Sequence, residues 1–173
     1  MFDPTIYENL KVVFEGAVYD LDLAGKIVVT NRSDLIDLAN MSRSFAIRCR
    51  LKDGQVAAEL RLSAELVDLA GEKLEWKHAQ PGCKLELFFS MRLHNPEWAC
   101  PQIGKLLNDI WDGRPSVSQM LSFLYGADES GCRNDITLSF DRKIGEGQID
   151  DISELMYYTV QSLEMLETFH SEE

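Results

Sequence analysis

The sequence predicts an α+β fold: a mainly antiparallel sheet of about five or six strands, with a helical hairpin and a long C-terminal helix covering one face. Three observations carry this. Two alternating apolar-polar runs flank Asp53-Gly54, a dipeptide suited to a two-residue hairpin turn. A second long alternating run spans Lys84 to Leu93. After His94-Asn95-Pro96 the apolar period changes from two to roughly 3.6, the helical value. Strands with one wet face, followed by segregated helices, define the class.

Taken in order, Asp3-Pro4 fits a helix start. A short helix is expected to about Asn9, then a strand over residues 10–23. In that strand Leu10, Val12, Phe14 and Val18 alternate and Gly16 marks a bulge. A single long first helix is the alternative, because Tyr7, Leu10, Phe14 and Val18 also recur at intervals of three and four. Lys26 to Thr30 reads as a strand interrupted by Asn31-Arg32-Ser33-Asp34. Leu35, Ile36, Leu38 and Met41 fit either a helical turn or a bulged strand.

If Asp53-Gly54 is the loop, Leu51 faces Val56, Cys49 faces Ala58, Ile47 faces Leu60 and Phe45 faces Leu62. All four pairs share one apolar face, and Arg48 falls opposite Glu59 on the other. A one-residue slip would turn one strand's apolar set into water. The strand should run out near Val67-Asp68-Leu69, with a further short strand from Lys73 to Trp76.

In the next strand Leu85, Leu87, Phe89, Met91 and Leu93 point one way, with Phe88 an apolar exception on the outward side. Pro101 then opens a helix whose stripe is Ile103, Leu106, Leu107, Ile110 and Trp111. Pro115-Ser116 starts its partner, with Val117, Met120, Leu121, Leu124 and Tyr125 as the stripe and Gly126 as the stop. Ile136, Leu138 and Phe140 mark a last strand, which Gly145-Glu146-Gly147 breaks. The final helix starts near Asp150 or Asp151 and buries Ile152, Met156, Thr159, Leu163 and Leu166.

The chain has 173 residues, and no linker-like composition divides it, so one domain over 1–173 is expected. A domain of ~150 residues buries about 70% of the surface its unfolded chain exposes. Lys and Arg number 17 against 29 Asp and Glu, a net charge of −12. Such a balance disfavours nucleic acid and anionic membranes as partners, and fits solubility or a basic protein partner. No membrane-length apolar run and no basic leader are read, and Cys49, Cys83, Cys100 and Cys132 lack paired spacing. Reduced thiols in a cytoplasmic protein are the expectation.

Motifs for chemistry are absent: no GxSxG, GxxxxGK[ST], HExxH or CxxC occurs. Gly145-Glu146-Gly147 leads into acids and reads as a turn. His94, Cys83 and Cys100 lack zinc-ligand spacing, and Asp20, Asp22, Asp34 and Asp37 lack the calcium-loop ladder. No catalytic residue, metal or cofactor is therefore assigned. The segment richest in binding-type residues holds Trp98, Trp111 and Arg114, since Trp and Arg are enriched at hot spots. The plain account of the tryptophans is packing of a helix on the sheet, more so for Trp111 in the helical stripe than for Trp98.

These readings lead to a non-enzymatic protein-interaction module, an acidic adaptor or chaperone-like, with homodimer formation through a sheet edge or the last helix as one mode. The alternative is a small hydrophobic-ligand binder, with Phe45, Leu60, Leu87, Phe89 and Met156 lining a cavity beneath the C-terminal helix. An enzyme using dispersed acids such as Glu97 or Asp112 ranks last.

Overall fold

The computed structural model describes residues 5–75, 81–126 and 131–171, with side chains through residue 169. Six strands form one sheet: β1 Ile27–Asp37, β2 Ser42–Leu51, β3 Ala57–Ala64, β4 Lys84–Leu93, β5 Ser116–Ser122 and β6 Cys132–Ser139. Their order is β1-β2-β3-β4-β6-β5, and every neighbour is antiparallel. The helices are α1 Thr5–Leu23, α2 Leu66–Lys73, α3 Pro96–Ile110 and α4 Ile152–Ser171, the last preceded by a 3-10 turn over Glu146–Asp151. The fold is the α+β class that the alternating runs predict.

The central hairpin keeps its expected register. Phe45 pairs with Leu62, Ile47 with Leu60, Cys49 with Ala58 and Arg48 with Glu59. Its loop is different. Gly54 N donates to Leu51 O at 3.0 Å, and Gly54 does not occupy the left-handed region that a type I′ turn needs. Leu51 and Val56 consequently fall outside the β2–β3 ladder. A larger residue at this position would displace a neighbour. A Cβ there would overlap Glu167 Oε1 of α4, which accepts a 2.7 Å bond from Val56 N. The loop is thus tied to the last helix, 111 residues away.

The expected strand over residues 10–23 is a helix instead. Tyr7, Leu10, Phe14 and Val18 are buried at intervals of three and four, whereas Val12, on the alternating reading, is exposed. Docking of that stripe overrides the weak helix propensity of Val12-Val13. Gly16 is exposed with open space around it, so no bulge calls for it. The proposed start at Asp3-Pro4 lies outside the described residues, as do Trp76 and residues 127–130.

Three further expectations change. β1 runs straight through Asn31–Asp34, with a register shift between Val29 and Asn31 absorbing the irregularity. After Ala64 the chain turns into α2, where Glu65 N donates to Asp68 Oδ2 at 3.1 Å, so Val67-Asp68-Leu69 and Lys73 are helical rather than extended. The first helix of the expected hairpin starts earlier, with Asn95 Oδ1 accepting from Trp98 N and Pro96 in its first turn. The second is not a helix: residues 116–122 form the edge strand β5, paired with β6. Ser116, Ser118 and Ser122 recur on one side there, a period of two that the helical reading passed over.

One sheet face is dry. α1 packs over β1 and β3, α4 over β2, β3 and β4, and α3 against β5 and α4. Ile152, Met156, Thr159, Leu163 and Leu166 are buried, as the last helix's stripe predicts. Cys49 and Cys83 are also buried, which pushes both thiols up to about 12; all four cysteines are free. No helix among the described residues is long and apolar enough to cross a membrane.

α1 is clamped to the sheet by charge. Arg43 of β2 bonds Glu8 and reaches Asp34 at 3.1 Å, and Lys11 bonds Asp34 and Glu8, each at 2.8 Å. The Arg43 guanidinium also sits 4.7 Å from the Tyr7 ring centroid. Burial alone would raise the Asp34 and Glu8 carboxyls, but hydrogen bonds from Lys11 and Arg43 outweigh it and hold both below their usual range. Depressed carboxyls stabilise the fold at neutral pH, and that share is lost as pH falls through their folded values. In urea titrations the chain should therefore weaken below pH ~4. Arg43→Leu should start about 3 kcal/mol lower at pH 7 and lose less on acidification. Parallel acid limbs in the two proteins would show that the clamp does not hold these carboxyls down.

Candidate functional site

Trp111 and Arg114 meet at one cleft. α3 ends at Trp111, after which Asp112 (φ 53°) and Gly113 (φ 62°) turn left-handed and Gly113 N closes on Asn108 O at 2.9 Å. That turn drops the indole inward, where it is only 4% exposed. Its Nε1 donates to Ser162 Oγ at 3.0 Å, and its ring lies 5.8 Å from Phe140 and 5.4 Å from Tyr158. Arg114 stays at the mouth, with Nη1 4.0 Å from Glu154 Oε1.

The cleft encloses about 500 Å³ between the end of β6, the 3-10 turn and the first turns of α4. Phe14, Leu85, Trp111, Phe140, Ile152 and Leu155 supply its apolar walls, and Arg114, Arg142 and Glu154 stand among its polar residues. Glu154 also accepts from Tyr158 OH at 2.9 Å, a bond that pushes the phenol's pKa upward. Trp98 is elsewhere. It lies in the first turn of α3, 46% exposed, with its ring 6.0 Å from that of Phe169. Phe45, Leu60, Leu87, Phe89 and Met156, the expected cavity lining, are all buried in the core, and none of them lines this cleft.

Two surfaces escaped the sequence reading. The first is the edge strand β5 and the residues after it. Met120, Leu121, Phe123, Leu124 and Tyr125 are exposed, Tyr125 to 95%. Inward, Gln119 fastens the strand: its Nε2 donates to Cys100 O at 2.8 Å and its Oε1 accepts from Asn134 Nδ2 at 2.9 Å.

The second is a hollow of about 840 Å³ on the uncovered sheet face, holding Arg48, Arg92 and Arg133 around Ala57 and Ser90. Arg92 and Arg133 are direct cross-strand partners on β4 and β6. Like charges in that relation disfavour a ladder by roughly 0.2–1 kcal/mol. Arg133 Nε reaches Asp135 at 2.8 Å. Glu59, opposite Arg48, is drawn to Arg61 at 2.6 Å, and Arg61 lies 4.4 Å over the Phe88 ring. That stacking accounts for the outward Phe88. Among the described residues no carboxylate lines the hollow.

Comparison with protein-family models, curated proteins and solved structures finds no match to this chain. The alternation of β2 and β4 already turns Arg48 and Arg92 outward; what local pattern does not contain is the strand order that sets β4 beside β6.

Trp111 is thus a packing residue as well as a wall of the cleft. Trp111→Phe keeps most of the ring area but leaves the buried Ser162 hydroxyl without its donor. Because that hydroxyl still donates to Tyr158 O, the change should cost about 1 kcal/mol in urea unfolding at unchanged m-value. An unaltered midpoint would mean that the indole bond does not hold the end of α3 to α4.

Proposed function

We propose that this chain is a non-enzymatic protein-interaction module that takes up an extended segment of a partner protein along β5. The carrying observation is the contrast between the two sheet edges. The β1 edge bears Arg32, Asp34 and Asp37 and a register shift, devices that discourage strand pairing. The run Pro115–Ala127 bears no charge, and Met120, Leu121, Phe123, Leu124 and Tyr125 within it are exposed. Among the described residues β5 pairs only with β6, so its second row of backbone donors and acceptors is open to an added strand. The net charge of −12 steers basic partners toward the molecule. The strip itself carries no charge, so a partner segment docks there without burying an unpaired one.

The test pairs affinity capture from cell extract with edge-blocking substitutions. Met120→Lys and Phe123→Lys should each weaken capture of the recovered partner about tenfold or more, ~1.4 kcal/mol, and Tyr157→Lys on α4 should leave it intact. Amide exchange along β5 should slow in the complex. Capture that tolerates both edge lysines overturns the reading. A free chain that sediments as a dimer, broken by the same lysines, gives the edge to a second copy instead.

The cleft favours a second reading, a binder of small hydrophobic ligands, because about 500 Å³ with aromatic walls falls in the range of ligand pockets, ~300–1,000 Å³. The probe is 1-anilinonaphthalene-8-sulfonate, an apolar aromatic body with an anionic group for Arg114 or Arg142. Its fluorescence should rise on the native chain and fall with Leu155→Trp, which fills the cleft. Fluorescence lost with Phe123→Lys but kept with Leu155→Trp would place the dye on the edge strip and remove this reading.

A further inference from the structure

We infer that the cleft at the end of α3 binds a zwitterionic aromatic ligand, the chemistry of a free aromatic amino acid, with its ring inward and its two charges at the mouth. This rests on the reading of the cleft as a small-ligand site and adds what the ligand carries. Depth and polarity are segregated there: Phe14, Leu85 and Ile152 are buried and form an apolar floor, whereas Asp141, Arg142 and Asp151 stand exposed. The Phe140 and Tyr158 rings are inclined at 68° and 49° to the Trp111 indole, so ring faces and ring edges both line the walls. An aromatic body finds offset and edge-to-face partners in such a setting.

The charges at the mouth are of both signs, and three of them stay unpaired. Glu154 is occupied, by Tyr158 OH at 2.9 Å and by Arg114 at 4.0 Å. Arg142, Asp141 and Asp151 make no ion pair or side-chain hydrogen bond among the described residues. They come from two walls: Asp141 and Arg142 follow the end of β6 at Ser139, and Asp151 closes the 3-10 turn that leads into α4. A guanidinium presents a forked donor to a carboxylate, and a carboxylate accepts from an ammonium. One ligand with both groups therefore bridges the two walls.

A ligand of one sign satisfies only part of this set. A monoanion takes Arg142 but faces Asp141 and Asp151, and the chain's net −12 opposes its approach. A monocation takes the carboxylates but sets its charge beside Arg142 and Arg114. A zwitterion carries no net charge for the field to repel, and it pairs with both. Its orientation is also fixed, because burying the charged end on the apolar floor would leave those charges without partners. The ring is then the part that enters toward Trp111.

Tryptophan, indole-3-propionate and tryptamine share one indole and differ in which charges they carry, so calorimetric titration of each onto the full chain tests this. Tryptophan should bind about fivefold or more tightly than either single-charge analogue. Arg142→Gln should weaken tryptophan and indole-3-propionate about fivefold and spare tryptamine. Asp141→Asn combined with Asp151→Asn should weaken tryptophan and tryptamine and spare indole-3-propionate. All three residues are exposed, and unchanged circular dichroism checks that the variants fold. Leu155→Trp, which fills the cleft, should abolish all three interactions. The zwitterion is wrong if tryptophan does not saturate below about 10 mM, if it binds no tighter than either analogue, or if one charge variant weakens all three ligands alike. In those cases 1-anilinonaphthalene-8-sulfonate still responds to Leu155→Trp and the cleft stands as an apolar site. If neither the dye nor any indole responds to Leu155→Trp, the cleft reading falls and the zwitterion falls with it.

Discussion

Ile47, Leu60, Leu87, Leu138 and Val117 stand in one row across five strands, each the cross-strand partner of the next. Above it runs Phe45, Leu62 and Leu85; below it Cys49, Ala58, Phe89 and Ile136. Nearly all of these side chains are buried under α1 and α4. The rest of the molecule follows from keeping that face dry. A slip of one residue in any strand would expose a whole column of a row, so the register is fixed without help from the turns. That is why the β2–β3 pairing survives a loop of a different kind from the one Asp53-Gly54 announces.

Because one face is sealed by helices, chemistry is confined to the other face, the two edges and the seams where helices end. The cleft belongs to such a seam, since the left-handed Asp112-Gly113 turn that stops α3 also fixes Trp111 and leaves Arg114 at the rim. The sheet's own edges are treated unequally. β1 is fastened to α1 by the Arg43–Glu8–Asp34–Lys11 cluster and carries charge along its length. β5 is held from beneath by Gln119, and its exterior is left neutral and apolar.

Where burial was one-sided and the partner lay nearby in sequence, the residues disclosed their structure. The β2–β3 register, the β4 alternation and the α4 stripe are of this kind. Where two periods fitted one run, only packing could decide. Residues 10–23 satisfy both, and the stripe Tyr7-Leu10-Phe14-Val18 won because it fits against the sheet and α4. Residues 116–122 also satisfy both, and pairing with β6 decided for the strand. The site divides in the same way. Trp98, Trp111 and Arg114 read as one segment in the sequence, but the turn that ends α3 sets Trp111 and Arg114 at one cleft while Trp98, one helix-length earlier, faces a different surface. The arginine hollow was not legible, because its members come from β2, β4 and β6 and meet only through the crossover that inserts β6 beside β4.

Charge is distributed against its own average. The outward positions of β2, β3, β4 and β6 hold Arg48, Arg50, Arg61, Lys84, Arg92 and Arg133, but only Glu59, Glu86 and Asp135. They therefore carry six of the chain's 17 cations and three of its 29 carboxylates. Solubility would be served by acids anywhere on the surface, and a sheet face gains nothing from opposed arginines. A uniform acidic coat explains neither their placement nor the small residues between them. Local positive charge inside a strongly negative molecule sets this face apart from the rest of the surface. The three carboxylates on this face are each taken by a cation of the same face, Glu59 by Arg61, Glu86 by Lys84 and Asp135 by Arg133.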